Sequence, residues 1–319
     1  MKIFLVGCGK LGKRYAEGIA AIKNIEEFHC YDISEKSTKE ALFIFKENRE
    51  KNKFKMPLIV NQESINKELP NYDFCIVAST AFKRAKLLKD LKEKSNIKYW
   101  IIEKVLEQSV KGILEIEQLN LNNAWVNTPR PSTRLWKDLK NILKINNFKS
   151  SKIEGSKLNL GSNLIHFLDA YEFILNRKIL SIEIDEEVYA KNSMRNGFIE
   201  LFGKVSLIFE NQFFLEIIAN ESEDFNCEIS FYSKNADLIS IYNESSLWFN
   251  KKLIGNNYKE FRVSEKIGEI ILNISNKSHC GLTKLDASLR QHKVFLASLE
   301  NKKNKFLDAF KSDNQIPIT

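Results

Sequence analysis

Short, unbroken apolar runs recur along the N-terminal part of the chain and are separated by stretches of helical periodicity. Ile3–Val6 is one such run, and Phe74–Ala78 and Tyr99–Ile102 repeat it without polar alternation. Runs of this kind are typical of strands that are buried on both faces of a parallel sheet. Because helical patterns alternate with them, residues 1–126 are predicted to form a Rossmann-type α/β domain with a doubly wound parallel sheet.

The pattern changes after residue 126, where a long region of short strands follows two helical segments. Adjacent antiparallel strands predict an α+β domain over residues 127–319, with a large open, mostly antiparallel sheet. The elements predicted there are helices at Leu135–Ile145 and Leu164–Leu175, an alternating strand at Ser181–Tyr189, hairpins over 205–218 and 226–242, and a closing helix at Lys284–Leu299.

A glycine-rich turn joins the first predicted strand to the first predicted helix. Its sequence is Gly7-Cys8-Gly9-Lys10-Leu11-Gly12, and a second short strand follows the helix and ends on Asp32. Strand, glycine turn, helix, strand and acidic residue in this order are typical of a dinucleotide-binding βαβ unit. We expect the six turn residues to hold the pyrophosphate at the helix N-terminus.

Asp32 predicts which dinucleotide is bound. A carboxylate at the end of the second strand can accept both ribose hydroxyls and repels a 2′-phosphate, which favours NAD over NADP. Lys36 is close enough in sequence to keep NADP open. Ser79, Thr80 and Glu103 follow later strands, at the sheet edge where such folds bind ligands, and we assign them to the same cofactor.

Two positions are candidates for proton transfer. Lys104 follows a buried strand and would face the nicotinamide, where burial could favour loss of its proton. The alternative is a solvated lysine at a strand end. His166 lies on a predicted helix three residues before Asp169, which we assign to the substrate, and an imidazole suits proton transfer near neutral pH. The alternative is a structural histidine.

The segment Asn127-Thr128-Pro129-Arg130 is a candidate for substrate binding. An amide at Asn127 and a guanidinium at Arg130, both near a strand end, could hold hydroxyls, a carboxylate or a phosphate. The alternative is a surface turn whose arginine pairs with a nearby carboxylate.

Charge and cysteine content exclude several classes of protein. The net charge is +8 and the pI about 9.0, but lysines are spread along the chain without interleaved aromatics, so no nucleic-acid partner is expected. The five cysteines have no metal-ligand spacing, and no metal is expected. No apolar run reaches the roughly 18 residues needed to cross a bilayer. A cytoplasmic protein without membrane contact is predicted.

The motifs together resemble those of the Gfo/Idh/MocA (glucose–fructose oxidoreductase / inositol dehydrogenase) family over essentially the whole chain. Besides the glycine turn, the likeness includes Val77-Ala78-Ser79-Thr80, Glu103-Lys104, the helix with His166 and Asp169, and Gly203-Lys204-Val205. The resemblance implies that Lys104 and His166 are the acid–base pair and that Asn163 lies beside the substrate.

The resemblance also implies an activity. It indicates an NAD(P)-dependent oxidoreductase that acts on a sugar, a nucleotide sugar or a polyol, and that assembles as a homodimer or homotetramer. The Asn-x-x-His form at Asn163–His166, with Asn-x-Pro-Arg upstream, is similar to a branch from bacterial surface-polysaccharide pathways.

The sequence departs from the family pattern at three positions. Val105 replaces a proline, Ser162 replaces the aspartate four residues before the histidine, and Leu164 replaces a glycine. The serine leaves the usual proton relay incomplete. Two alternatives therefore stay open: a dinucleotide-binding regulator without turnover, and an imine or tetrapyrrole reductase on the same fold.

Overall fold

Two β-sheets organise the structure, a computed structural model that describes residues 1–145, 147–222, 224–259, 261–277, 279–302 and 315–319. Unit 1 comprises Met1–Glu107, Gly112–Asn127 and Phe261–Asp286, and unit 2 comprises Gln108–Lys111, Thr128–Glu260 and Ala287–Thr319. The boundary predicted at residue 126/127 lies beside the break after Asn127. Residues 261–286, which were predicted to belong to the second domain, belong to unit 1.

The elements are numbered in chain order. The strands are β1 (Lys2–Val6), β2 (Glu27–Tyr31), β3 (Leu58–Asn61), β4 (Tyr72–Val77), β5 (Ile97–Ile102), β6 (Ala124–Val126), β7 (Phe148–Ser156), β8 (Ile179–Ile184), β9 (Tyr189–Asn192), β10 (Ile199–Phe209), β11 (Phe213–Asn220), β12 (Asn226–Ser233), β13 (Leu238–Tyr242), β14 (Ser246–Phe249), β15 (Lys252–Gly255) and β16 (Thr283–Lys284). The helices are α1 (Lys10–Ile19), α2 (Glu35–Lys51), α3 (Arg84–Lys94), α4 (Val110–Gln118), α5 (Arg134–Ile145), α6 (Leu160–Leu175), α7 (Val263–Ser275) and α8 (Leu285–Asn301).

The sheet of unit 1 has the strand order β16-β6-β5-β4-β1-β2-β3. Its strand pairs are parallel, except that β16 runs antiparallel to β6. The predicted doubly wound parallel sheet is therefore confirmed. The chain winds outward from β1 in both directions, so β1 lies at the switch point where folds of this kind bind ligands.

The local sequence explains the main elements of unit 1. Residues 74–77 of β4 are at most 1% exposed, as an unbroken apolar run predicts for a strand with helices over both faces. Ser34 caps α2, since its side chain accepts a hydrogen bond from the backbone N–H of Ser37 at 3.3 Å.

The sheet of unit 2 has the order β15-β14-β13-β12-β7-β11-β10-β8, and β9 pairs with β10. Its strand pairs are antiparallel, except that β7 and β11 are parallel. The predicted α+β organisation with a mostly antiparallel sheet is confirmed.

Strand β7 is central in this sheet but was not predicted from the sequence. Only Phe148 and Ile153 are large apolar residues in it, and Ser151 occupies one of its buried positions. The hydroxyl of Ser151 donates to the carbonyl of Ser230 on β12 at 2.8 Å. Because a hydrogen-bonded serine can be buried at low cost, the strand has no apolar alternation to reveal it.

Two further predictions differ from the structure. The single strand predicted at Ser181–Tyr189 is wrong: β8 and β9 are separate strands, and the Val188 N–H donates to the Asp185 carbonyl in the turn between them. Helix α7 was not predicted, although four isoleucines recur in it at helical spacing. It packs against α1 so closely that a Cβ on Gly18 would lie 2.5 Å from Ile267 Cγ2.

Three chemical properties of the described chain bear on its function. Among the described residues, no helix is both long and apolar enough to cross a lipid bilayer. Within the same ranges, no group of three or more His, Cys, Asp or Glu side chains is placed to hold a metal ion. The five cysteines are buried and have free thiols.

Candidate functional site

The carboxyl ends of five parallel strands in unit 1 stop at the same level of the sheet. Their last residues are in register from strand to strand, in the order Tyr31, Val6, Val77, Ile102 and Val126. The residues that follow them form the next row, which consists of Asp32, Gly7, Ala78, Glu103 and Asn127. Since neighbouring strands lie about 4.8 Å apart, most of the predicted unit 1 residues come together along this edge.

The glycine turn is closely packed at two of its glycines and open at the third. Gly7 has a φ of +93°, and a Cβ there would lie 2.5 Å from the Ser79 nitrogen. A Cβ on Gly12 would lie 2.0 Å from the Gly7 carbonyl oxygen, whereas a Cβ on Gly9 would meet nothing within 4 Å. The turn therefore needs glycine at 7 and 12 for its own geometry and leaves open space beside Gly9.

Helix α1 begins directly after this turn, with Gly9 at its N-cap. Among the described residues, no side chain caps α1, and its first turn contains no acidic residue. Helix α2 differs, since it is capped by Ser34 and has Glu35 in its first turn. The first N–H groups of α1 have no acceptor within the helix, so they can bind an anion. These residues fit the pyrophosphate of a dinucleotide.

The carboxylate of Asp32 lies against the glycine turn. Its Oδ2 accepts a hydrogen bond from the Cys8 N–H at 2.6 Å, and its Oδ1 accepts one from the Ser34 N–H at 2.8 Å. The acidic residue is therefore fixed by two backbone donors, beside the turn that the sequence predicts to hold the pyrophosphate.

Glu103 and Asn127 bind each other inside unit 1. Glu103 Oε1 accepts hydrogen bonds from Asn127 Nδ2 at 2.5 Å and from the hydroxyl of Tyr15 on α1. Burial raises the pKa of the Glu103 carboxyl, although both hydrogen bonds oppose the shift. Burial, and then the charge of Glu103, raise the pKa of Tyr15 well above its usual value. Glu103, predicted to contact the cofactor, and Asn127, predicted to contact the substrate, thus bind each other. The sequence did not indicate that Tyr15 also binds Glu103.

Lys104 is partly exposed, and the Lys104–Val105 peptide bond is cis. The fully buried Arg84 donates to the carbonyls of Glu103 and Val105, on either side of Lys104, and to the carbonyl of Ser79. The sequence did not single out Arg84, because it begins a helix rich in lysines and looks like another solvated cation.

Three predicted residues of unit 2 lie three positions apart on α6, on neighbouring turns. Asn163 donates from Nδ2 to the Leu158 carbonyl at 2.9 Å. His166 is partly exposed. Asp169 is only 2% exposed, and its Oδ1 accepts a hydrogen bond from Gln291 Nε2 at 3.4 Å. Helix α6 therefore carries an amide, an imidazole and a buried carboxyl at intervals of three residues.

A carboxylate lies at the first turn of α6, where the sequence has Ser162. Glu200 of β10 accepts the Ser162 N–H at its Oε2, at 3.0 Å. The Ser162 hydroxyl donates to the Asn159 carbonyl at 3.3 Å. Ser162, at the position where the resembled family has an aspartate, therefore binds a carboxylate from a distant strand through its backbone, which no local motif could reveal.

Arg130 is held in an ion pair with Glu244 inside unit 2. Its Nη2 donates to Glu244 Oε1 at 2.7 Å, and its Nε lies 3.1 Å from both carboxylate oxygens. Trp136 Nε1 donates to Glu244 Oε2 at 3.0 Å, and the guanidinium lies 4.3 Å from the ring centre of Phe167. Arg130 is therefore paired with a carboxylate, as the alternative interpretation expects, and its contact with a substrate stays a prediction.

We expect Glu244→Gln to destabilise the protein by about 3 kcal/mol at neutral pH, because Arg130 would lose its partner in a largely buried pair. Burial acts to raise the pKa of Glu244, but the charge and hydrogen bonds of Arg130, together with Trp136, lower it overall. The stabilisation is therefore fully present above the unfolded pKa of about 4.5. It is lost as the pH falls through the folded pKa, so urea unfolding should show the variant approaching wild type in acid.

Glu221→Gln is the matched control. Glu221 pairs with Lys191 at 2.5 Å, but both side chains are about half exposed. Solvent screens such a pair, so little or no change in stability is expected. An equal loss for both variants would contradict the special role of the Arg130–Glu244 pair.

The fold is shared with solved oxidoreductase structures. A UDP-N-acetylglucosamine 3-dehydrogenase from Acidithiobacillus ferrooxidans has a TM-score of 0.68 at 10% identity, covering 93% of this chain and 96% of that one. A biliverdin reductase from Synechocystis, solved with biliverdin and NADP+, has a TM-score of 0.69 at 12% identity, covering 94% and 98%. A scyllo-inositol dehydrogenase from Lactobacillus casei has a TM-score of 0.66 at 14% identity, covering 95% and 96%.

These similarities concern the fold. No protein-family model and no curated protein sequence matches the chain. An inositol dehydrogenase is among the structural neighbours, in agreement with the resemblance seen in the sequence motifs. The chain therefore has the fold of these dehydrogenases and reductases, with a glycine turn, a fixed carboxylate and a lysine at one edge of its parallel sheet.

Proposed function

We propose that the protein is an NAD(P)-dependent oxidoreductase whose cofactor binds at the carboxyl edge of the unit 1 sheet. The observation that carries this proposal is the glycine turn: it is closed at Gly7 and Gly12, open at Gly9, and followed by a helix without a capping side chain. This arrangement suits a pyrophosphate, and Asp32 is fixed beside it for the ribose. When bound, a nicotinamide supplies or accepts a hydride.

We propose a sugar, nucleotide sugar or polyol as the substrate. Lys104 would take the proton from the reacting hydroxyl in oxidation and return it in reduction, with His166 as a second acid–base group. The fold neighbours include a dehydrogenase of a nucleotide sugar and one of an inositol, which supports this class. Absorbance at the reduced-nicotinamide band, recorded by stopped flow over a panel of such compounds, tests the proposal.

We expect Asp32→Ser to shift cofactor preference from NAD toward NADP by about tenfold or more, equivalent to about 1.4 kcal/mol. The change removes a carboxylate that would repel the 2′-phosphate and accept the ribose hydroxyls. The ratio of the two Kd values, measured by calorimetry, reports the shift and cancels any common loss from the hydrogen bonds to Cys8 and Ser34.

Glu35→Gln provides the control for charge alone. Glu35 lies in the first turn of α2 and pairs with Lys39 on the surface, at 2.7 Å. Its loss should leave the ratio of Kd values unchanged. If Asp32→Ser also leaves the ratio unchanged, the carboxylate does not contact the ribose.

Two further candidate functions, a regulator and a different reductase, each have one observation in their favour. Ser162 stands where the resembled family has an aspartate, and one fold neighbour is a biliverdin reductase. A dinucleotide-binding regulator would bind NAD tightly and reduce no compound in the panel. An imine or tetrapyrrole reductase would oxidise NADH or NADPH with such a compound and would not depend on His166.

A further inference from the structure

Arg84 connects the two loops that follow β4 and β5. Its guanidinium donates to the carbonyl of Ser79 in the first loop and to the carbonyls of Glu103 and Val105 in the second. The side chain is fully buried, although arginine is among the residues least often buried. The two acceptors in the second loop are the carbonyls of Glu103 and Val105, the residues directly before and after Lys104.

Only an arginine side chain can donate hydrogen bonds to these three carbonyls at once. Its guanidinium is planar and carries five N–H donors in a rigid fork, whereas a lysine ammonium is a compact point with three donors. Binding the carbonyls on both sides of one residue restricts the backbone rotation of that residue. A rigid donor group behind Lys104 therefore fixes the direction in which its side chain leaves the backbone.

The side chain of Glu103 restrains the same loop through separate partners. Tyr15 of α1 and Asn127 after β6 both donate to its Oε1. The backbone on either side of Lys104 is held by Arg84, and the preceding side chain by these two donors. Lys104 is thus the partly exposed member of a segment whose neighbours are buried and hydrogen-bonded.

We propose that Arg84 is a positioning residue for Lys104, which holds the lysine amine in place for proton transfer by binding the carbonyls on both sides of it. The inference rests on the proposed function, in which Lys104 exchanges the proton of the reacting hydroxyl. It assigns to Arg84 no contact with substrate or cofactor.

The chain offers a matched control in Arg49. This arginine is also fully buried in unit 1, and its guanidinium also donates to backbone carbonyls, those of Ala20, Ile22, Lys23 and Lys55. None of these carbonyls adjoins Lys104. Arg49→Lys and Arg84→Lys therefore remove the same kind of buried clamp, and both should lower the Tm.

The test compares the two variants by single-turnover hydride transfer, by the Kd for NAD and by the reactivity of the Lys104 amine. The amine is labelled with trace acetic anhydride over a range of pH, and the Lys104 peptide is quantified by mass spectrometry, with the exposed Lys98 of β5 as internal reference. Labelling needs no substrate, so it reports the position and environment of the lysine even without turnover.

Arg84→Lys should slow hydride transfer by about 100-fold, since misplacing a reacting group by about 1 Å has that effect. It should move the pH dependence of Lys104 labelling and raise the Kd for NAD by far less than 100-fold, as Arg84 also holds the carbonyls of Ser79 and Glu103. Arg49→Lys should change none of the three. If Arg84→Lys does not fold, the same measurements are made on Arg84→Gln, which retains an amide donor.

Two results would overturn the inference. Lys104 labelling that is the same in the Arg84 variant as in wild type shows that Arg84 does not position the amine. Equal kinetic losses in the Arg84 and Arg49 variants show that both arginines are only structural. If labelling moves but wild type transfers no hydride, the positioning role stands and the proposed function fails.

Discussion

Lys104→Met should lower the rate of hydride transfer by about 10³-fold and leave NAD affinity unchanged. General acid–base catalysis by a positioned side chain contributes about 10²- to 10⁴-fold, and methionine keeps much of the length of lysine but cannot carry a proton. The loss should appear in the single-turnover rate, because the hydroxyl proton must leave or arrive as the hydride moves. Stopped-flow absorbance measures that rate, and calorimetry measures the Kd for NAD.

Lys98→Met is the control for this prediction. Lys98 lies on the same strand, β5, and is exposed away from its carboxyl end, so its loss should change neither quantity. Wild-type turnover in Lys104→Met would remove the lysine from the mechanism. A loss of NAD affinity together with turnover would instead assign Lys104 to cofactor binding.

Gly12→Ala should reduce NAD affinity by about 100-fold or more, equivalent to about 2.8 kcal/mol. The added Cβ would lie 2.0 Å from the Gly7 carbonyl oxygen, so the backbone of the glycine turn must move. Overpacking of this kind also costs about 1–3 kcal/mol of stability. Calorimetry with NAD and a thermal melt measure the two effects separately.

Gly9→Ala separates ligand contact from loop distortion. A Cβ at this position meets nothing within 4 Å, so the variant should fold with the stability of wild type. A methyl group in the space expected for the pyrophosphate should still weaken NAD binding. If Gly12→Ala binds NAD as wild type does, the turn is not the pyrophosphate site.

The sequence predicts most of unit 1, because its strands are buried on both faces and leave unbroken apolar runs. Strand β7 cannot be predicted from the apolar pattern, because a buried, hydrogen-bonded Ser151 occupies a position where an apolar residue would be expected. Helix α7 is different, since its isoleucines do show helical spacing. The local pattern cannot show that α7 packs on α1, which is far away in the sequence, and that α7 therefore belongs to unit 1.

In the candidate site, too, the sequence predicts some residues and not others. Residues that directly follow strands, such as Asp32 and Lys104, can be predicted because parallel strands end at one edge. Their partners cannot: Tyr15 binds Glu103 across 88 positions, and Arg130 binds Glu244 across 114. No short-range pattern specifies such pairs, so the sequence left open whether Arg130 faces a ligand or a carboxylate of the chain.

Transfer of deuterium from NADH labelled with deuterium at both C4 positions to an acceptor compound tests the central proposal most directly. The protein is mixed with the labelled cofactor and a panel of keto sugars, nucleotide keto sugars, inosose, an imine and biliverdin, and products are read by mass spectrometry. The account predicts one deuterium on the former carbonyl carbon of a sugar-like product in wild type, greatly reduced in Lys104→Met. Tight binding of NADH without deuterium in any product would contradict it and favour a regulator.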